Sequence, residues 1–149
     1  MKRIIRSLAP LTILLLLGSV ITPPGLAARP ASAAFPVKVE TNKIMGKLLA
    51  DSHGRTLYYL TTEKNGKIHC SGSCAGVWPP LLLPKGTKVT SVKGASGKFA
   101  TIKRPDGHTQ ITYNGWPVYR YSGDNGPNQT NGNGIQGTWF VAKVSLKKR

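Results

Sequence analysis

Three sets of side chains have types and spacings that chemistry could use. Cys70 and Cys74 are the only cysteines, in the order Cys-Ser-Gly-Ser-Cys, with His69 directly before the first. In an exported protein an even cysteine count points to a disulfide. The ring it closes is very small, so its stabilisation falls below the ~3 kcal/mol associated with a loop of about 15 residues. Its expected work is local, holding the turn that seats Trp78. The alternative is a copper-binding or thiol-redox site built from His69, Cys70 and Cys74, because soft thiolates suit copper. Two features weigh against it. Binuclear copper centres with this cysteine spacing place a His where this chain has Trp78, and thiol oxidoreductases use Cys-x-x-Cys within a βαβ pattern. No cofactor is the first expectation, copper the second.

Glu63 and Asp124 form the next set, since paired carboxylates can serve as acid and base. They sit at matching places in two similar segments, however. That equivalence points to a shared turn role, each capping backbone N–H groups. Three dispersed His residues and the lack of Gly-x-Ser-x-Gly offer no hydrolytic set. The chain is expected not to be an enzyme. The third set is aromatic: Tyr58, Tyr119, Tyr121, Trp78, Trp116 and Trp139 could line a groove, but large rings bury well and core packing is their simpler role. Trp116 lacks an aromatic counterpart in the earlier segment, where Arg55 stands, and lies beside a turn. It is the candidate for an exposed contact.

The elements that must position these residues come in two copies. Gly54 to Glu63 recurs as Gly115 to Asp124, 61 residues on. Carried outward without a gap, that offset pairs Gly46 with Gly107, Gly76 with Gly137, and Trp78 with Trp139. The repeats span about 46–83 and 107–144. Strand alternation marks Phe35–Thr41, Arg55–Thr61, Lys98–Lys103 and Thr109–Tyr113, while Lys47–Ala50 reads as a second short strand, Val118–Tyr121 as a return strand and Trp139–Val144 as the closing strand. Asp51 to Gly54, Asp106-Gly107 and Asn114-Gly115 supply hairpin turns, the last through two residues that tolerate positive φ. In this register His53 matches Asn114 and reads as a turn residue. Ser73 to Trp78 fits one helical turn, stopped by Pro79-Pro80. Asn125 to Gly137 is a loop long enough to be functional. The expected fold is all-β, a small sandwich or partly open barrel built from two hairpin-containing repeats.

With those motifs assembled, the chain resembles a bacterial family of secreted or lipid-anchored repeat proteins of unknown function. Its signature is Tyr-x-(Phe/Trp/Tyr)-x-x-Asp. Tyr119-Arg120-Tyr121-Ser122-Gly123-Asp124 matches fully, and Tyr58 to Glu63 matches with Leu60 for the aromatic and Glu for Asp. Gly-Arg-Thr-Leu-Tyr at 54–58, Cys-x-Gly-x-Cys-Ala at 70–75 and Trp-Pro-Pro at 78–80 are similar to the same family. The likeness covers roughly residues 36–145. It implies an extracytoplasmic location and a repeat architecture, with no established activity.

Composition agrees on location. Lys2, Arg3 and Arg6 precede an apolar run from Leu8 to Ile21, and Ala31-Ser32-Ala33 supplies small residues for cleavage before Ala34, so residues 1–33 read as a signal peptide and 34–149 as one domain. The run is shorter than the ~20 residues that span a bilayer, so no transmembrane span is expected after cleavage. Removing residues 1–33 takes four basic residues and no acidic ones, leaving 17 against 5, a net charge of +12. Such a field favours anionic envelope polymers or lipid head groups. The basic residues are scattered and no nucleic-acid motif is present, so no specific nucleic acid is expected. Nothing in the pattern fixes an oligomeric state. The expectation is a non-catalytic, secreted or cell-envelope module with a basic surface.

Overall fold

A computed structural model describes residues 33–149; the export signal expected over 1–33 lies, its last residue aside, outside the described residues. The described chain is all-β, arranged as three small antiparallel sheets without barrel closure. Hairpin β1 (Val37–Asn42) and β2 (Gly46–Asp51) sets Val39 opposite Leu49. Its counterpart, β4 (Phe99–Lys103) and β5 (Thr109–Tyr113), sets Thr101 opposite Ile111. Between them lie β3 (Tyr58–Leu60), a 3-10 turn at Thr61–Asn65 and the single helical turn α1 (Ser73–Val77). The chain closes with β6 (Trp116–Pro117), a 3-10 turn at Ile135–Gly137 and β7 (Trp139–Val141). Among the described residues no helix is long and apolar enough to cross a membrane.

The two copies do not fold side by side; they exchange strands. β3 of the first copy pairs with β7 of the second, Tyr59 opposite Phe140. Reciprocally, the segment after Trp78 lies against the second copy, with Pro80 opposite Tyr119 and Leu82 opposite Gln110. Each exchange ends in a closed ring of three backbone hydrogen bonds. In one, Leu57 N–H donates to Leu49 (2.9 Å), Leu49 to Ala142 (2.9 Å) and Ala142 to Leu57 (2.8 Å). In the other, Val118 N–H donates to Ile111 (3.1 Å), Ile111 to Leu81 (2.9 Å) and Leu81 to Val118 (3.0 Å). All six residues are buried in one apolar cluster, so each backbone polar group is paired where water cannot reach it. The pseudo-twofold passes where Tyr58 and Tyr119 donate N–H to each other's carbonyl at 2.8 and 2.9 Å.

Alternation sorts side chains between two cores. Leu57 and Tyr59 join the cluster beneath the hairpins, while Tyr58 and Leu60 turn to a second cluster with Trp78, Trp139, Tyr119 and Cys70. There Trp78 and Trp139 stack at 3.9 Å and 4°, and each meets its own copy's tyrosine edge-on.

Three expectations change in detail. The gapless offset fails in the hairpins: Leu49 answers to Ile111, 62 residues on, because the Asp51–Thr56 turn holds one residue more than Tyr113–Pro117. Gly46 and Gly107 are therefore not equivalent. The hairpin around His53-Gly54 is closed only at its base, by Asp51 N–H to Arg55 and Ala50 opposite Thr56, before β3 leaves for β7. After Asn114 (φ 51°) and Gly115 (φ 88°), the paired return segment is Trp116–Pro117, not Val118–Tyr121. Val118 enters its backbone ring instead, and Tyr119 crosses to Tyr58.

Candidate functional site

The family-type residues meet across the pseudo-twofold. The Tyr58 hydroxyl of the first copy donates to Asp124 of the second at 2.5 Å. The Tyr119 hydroxyl of the second donates to both oxygens of Glu63 in the first, at 2.8 and 2.9 Å. Each carboxylate also holds its own turn. Glu63 accepts the N–H groups of His69 and Cys70, and Asp124 accepts that of Asn131. Both tyrosines are pushed above the ordinary phenol range, first by burial, which disfavours a phenolate, and then by the adjacent carboxylate. Glu63 and Asp124 are therefore occupied by internal donors and lie apart from each other's turn. The arrangement is a lock between copies, with turn capping as part of it.

The disulfide between Cys70 and Cys74 is formed, with Cα atoms 5.2 Å apart. It braces α1, whose end is closed by Trp78 N–H donating to the Cys74 carbonyl at 2.8 Å, so the bridge seats the stacked tryptophan. The two sulfurs are bonded to each other and His69 is exposed. Among the described residues no group of three His, Cys, Asp or Glu side chains could hold a metal ion. Behind the bridge lies a buried cation, Arg104. It donates to the Cys70 carbonyl at 2.9 Å, to Gln110 at 2.6 Å and to Asp106 at 3.0 Å. Arg104 holds the Asp106 carboxyl down to about 2, with help from the His108 N–H. The loop from 125 to 137 is tied down as well. Asn128 donates its N–H to Gly54 and its side-chain N–H to Thr41, and Gly132 N–H reaches the Tyr58 hydroxyl. A Cβ at Gly132 would stand 2.9 Å from Trp78 and Tyr58, so only glycine fits there.

Trp116 is not the exposed residue its place beside a turn suggests. It is 8% exposed, its Nε1 donates to the Lys147 carbonyl at 3.1 Å, and its ring packs 5.0 Å from Tyr59. The reason is the C-terminal segment, which folds back over the turn: Asn114 donates to Leu146 at 2.6 Å and accepts from Arg149 N–H at 3.1 Å. Trp116 instead forms the wall of a cleft of about 560 Å³ with Tyr59 and Phe140, rimmed by the exposed Lys143, Lys147 and Lys148. The matching place in the other copy has Arg55, Arg120 and Pro79 where this one has Trp116, Tyr59 and Phe140. There Arg55 pairs with Asp51 at 2.7 Å, and burial lowers the Arg120 guanidinium.

The charge pattern is lopsided. All five side-chain carboxylates of the described chain are held internally: Glu40 by Lys38, Asp51 by Arg55, Asp106 by Arg104, and Glu63 and Asp124 by tyrosines. Thirteen of the 17 basic residues are exposed, and the other four are Lys38, Arg55, Arg104 and Arg120.

Sequence reasoning missed the crossing of the tyrosines, the buried Arg104–Gln110 pair and the cleft. Only the aromatic pair Tyr59 and Phe140, both polar or proline in the other copy, carried a readable signal. The model of a family described as a secreted repeat of unknown function matches the chain twice, at residues 41–82 and 100–143, together more than half of its length. No curated protein and no solved structure matches it.

Proposed function

The chain belongs to the family of secreted repeats of unknown function, and we propose that it works in the extracytoplasmic space as a non-catalytic module held by its positive surface on anionic envelope polymers or lipid head groups. One observation carries this reading: thirteen cations face solvent, whereas Asp51, Glu63 and Asp124 are buried and Glu40 and Asp106, the two carboxylates that reach the surface, are each paired with a cation. Unbalanced surface charge of one sign attracts polyanions at a distance and is screened by salt. The absence of catalysis is supported by the carboxylates themselves, since Glu63 and Asp124 are engaged by tyrosine and backbone donors and not directed at the cleft. The paired sulfurs of Cys70 and Cys74 favour a structural role over copper or thiol-redox chemistry.

The test is retention of the mature chain on purified cell wall and on anionic vesicles across a salt series. Retention at low ionic strength that is lost towards about 1 M salt, where the screening length falls to about 3 Å, is the expected result. Failure to bind either surface at low ionic strength would falsify the proposal.

A further inference from the structure

The pseudo-twofold separates what the fold requires from what it does not. Residues the copies share, Tyr58 with Tyr119 and Trp78 with Trp139, build the lock and the stacked core. At the cleft the copies part. One place carries Tyr59 on β3, Trp116 on β6 and Phe140 on β7; the corresponding positions of the other are Arg120, Arg55 and Pro79, with a turn one residue longer and an isolated bridge where the first has paired strands. The fold therefore does not need an aromatic wall at this place, yet one stands there, partly open to solvent and rimmed by cations.

We propose that this cleft is a saccharide-binding site whose ligand is an acidic polysaccharide, a chain of pyranose rings carrying carboxylates. The assignment rests on the reading that the chain adheres to anionic polymers and names the polymer class and the place. A pyranose ring presents a face of C–H groups that packs on an aromatic plane, which an electron-rich ring face favours. Tyr59 stands 5.0 Å from Trp116 and 6.3 Å from Phe140, with planes tilted by 56° and 38°, so the half-buried Tyr59 and Phe140 offer the ring surface and the buried Trp116 backs them. Lys143, Lys147 and Lys148 then meet the carboxylates at the rim. The main chain that carries Lys147 is fixed before any ligand arrives, because the Trp116 Nε1–H and Asn114 side chain hold the carbonyls of Lys147 and Leu146. Such preorganisation removes part of the ordering cost of binding. A phosphodiester polymer or a lipid head group would use the lysines and leave the recessed aromatic wall without a role.

The test compares three probes by calorimetry on the whole mature chain: polygalacturonate, its fully methyl-esterified form, and polyphosphate. Polygalacturonate is expected to bind best, with the ester at least tenfold weaker. Phe140→Ala is expected to weaken polygalacturonate at least tenfold and leave polyphosphate unchanged, whereas the double variant Lys147→Gln with Lys148→Gln weakens both. Should Phe140→Ala not fold, Tyr59→Gln replaces it, since it removes the central ring of the wall and adds no charge to the cleft. Equal binding of polygalacturonate by wild type and by the folded wall variant overturns the assignment, as does tighter binding of polyphosphate than of polygalacturonate. In those cases the adhesive role stands without this site. No binding of any polyanion at low salt removes both.

Discussion

A buried carboxylate is costly unless its oxygens are met, and Glu63 and Asp124 are each met by the phenol of the opposite copy. Replacing Tyr119 by Phe leaves the Glu63 Oε2 without its donor in a buried place. The expected loss is about 1–3 kcal/mol in denaturant unfolding, with Tyr58→Phe similar through Asp124; a variant as stable as wild type would contradict the lock. The same residues set an alkaline limit. Their folded-state affinity for the proton is raised, so the folded chain keeps protons that the unfolded chain releases above a pH of about 10. Their contribution is complete below that pH and is lost as pH rises beyond it. Denaturant midpoints should hold from pH 7 to about 9 and fall steeply towards 11, and the fall should be shallower in Tyr119→Phe. At this scale the sequence was legible in residue type: tyrosine and a turn carboxylate, twice, at one offset. What it could not convey is which tyrosine meets which carboxylate, since a crossed pair and an uncrossed pair have identical spacing.

Elements were legible where the signal is local. Asn114-Gly115 turns as its chemistry demands, strands form at 37–42, 46–51, 99–103 and 109–113 where short strand-like runs stand, and α1 ends at Val77, capped by Trp78 just before Pro79. They were not legible where a partner comes from far along the chain. Arg55 to Thr61 alternates like a simple hairpin strand, yet it leaves β2 after Leu57 because Ala142 takes the third place in the backbone ring. The Trp116 burial fails for the same reason, its cover arriving from Lys147. Two predictions belong to elements. Opening the Cys70–Cys74 bridge by a double Ser substitution should cost less than about 3 kcal/mol, because the loop is short. It should still reduce the near-ultraviolet circular dichroism of the Trp78–Trp139 stack, since the bridge braces the turn that seats Trp78. Gly132→Ala should cost about 1–3 kcal/mol through overpacking against Trp78 and Tyr58, read as a lower midpoint. An unchanged midpoint would mean the loop shifts freely.

For the whole molecule, strand exchange makes each copy incomplete alone. The first lacks Ala142 and β7, the second lacks Leu81 and Pro80. A chain cut in the exposed stretch near Lys88 should give two halves that are each unfolded by circular dichroism and that regain the native spectrum on mixing; a half that folds by itself would contradict the exchange. The exchange also divides labour. Positions the copies share are committed to the fold, and the proposed site stands where they differ. Polymer affinity and folding stability measured together on Tyr59→Gln, which removes the central ring of the wall and leaves the charge of the cleft unchanged, test that division most directly. Stability is expected to fall by about 2–3 kcal/mol from the two lost ring contacts and the apolar area they cover, while affinity for polygalacturonate drops at least tenfold. A folded Tyr59→Gln variant that binds like wild type, or one that cannot fold at all, would contradict it.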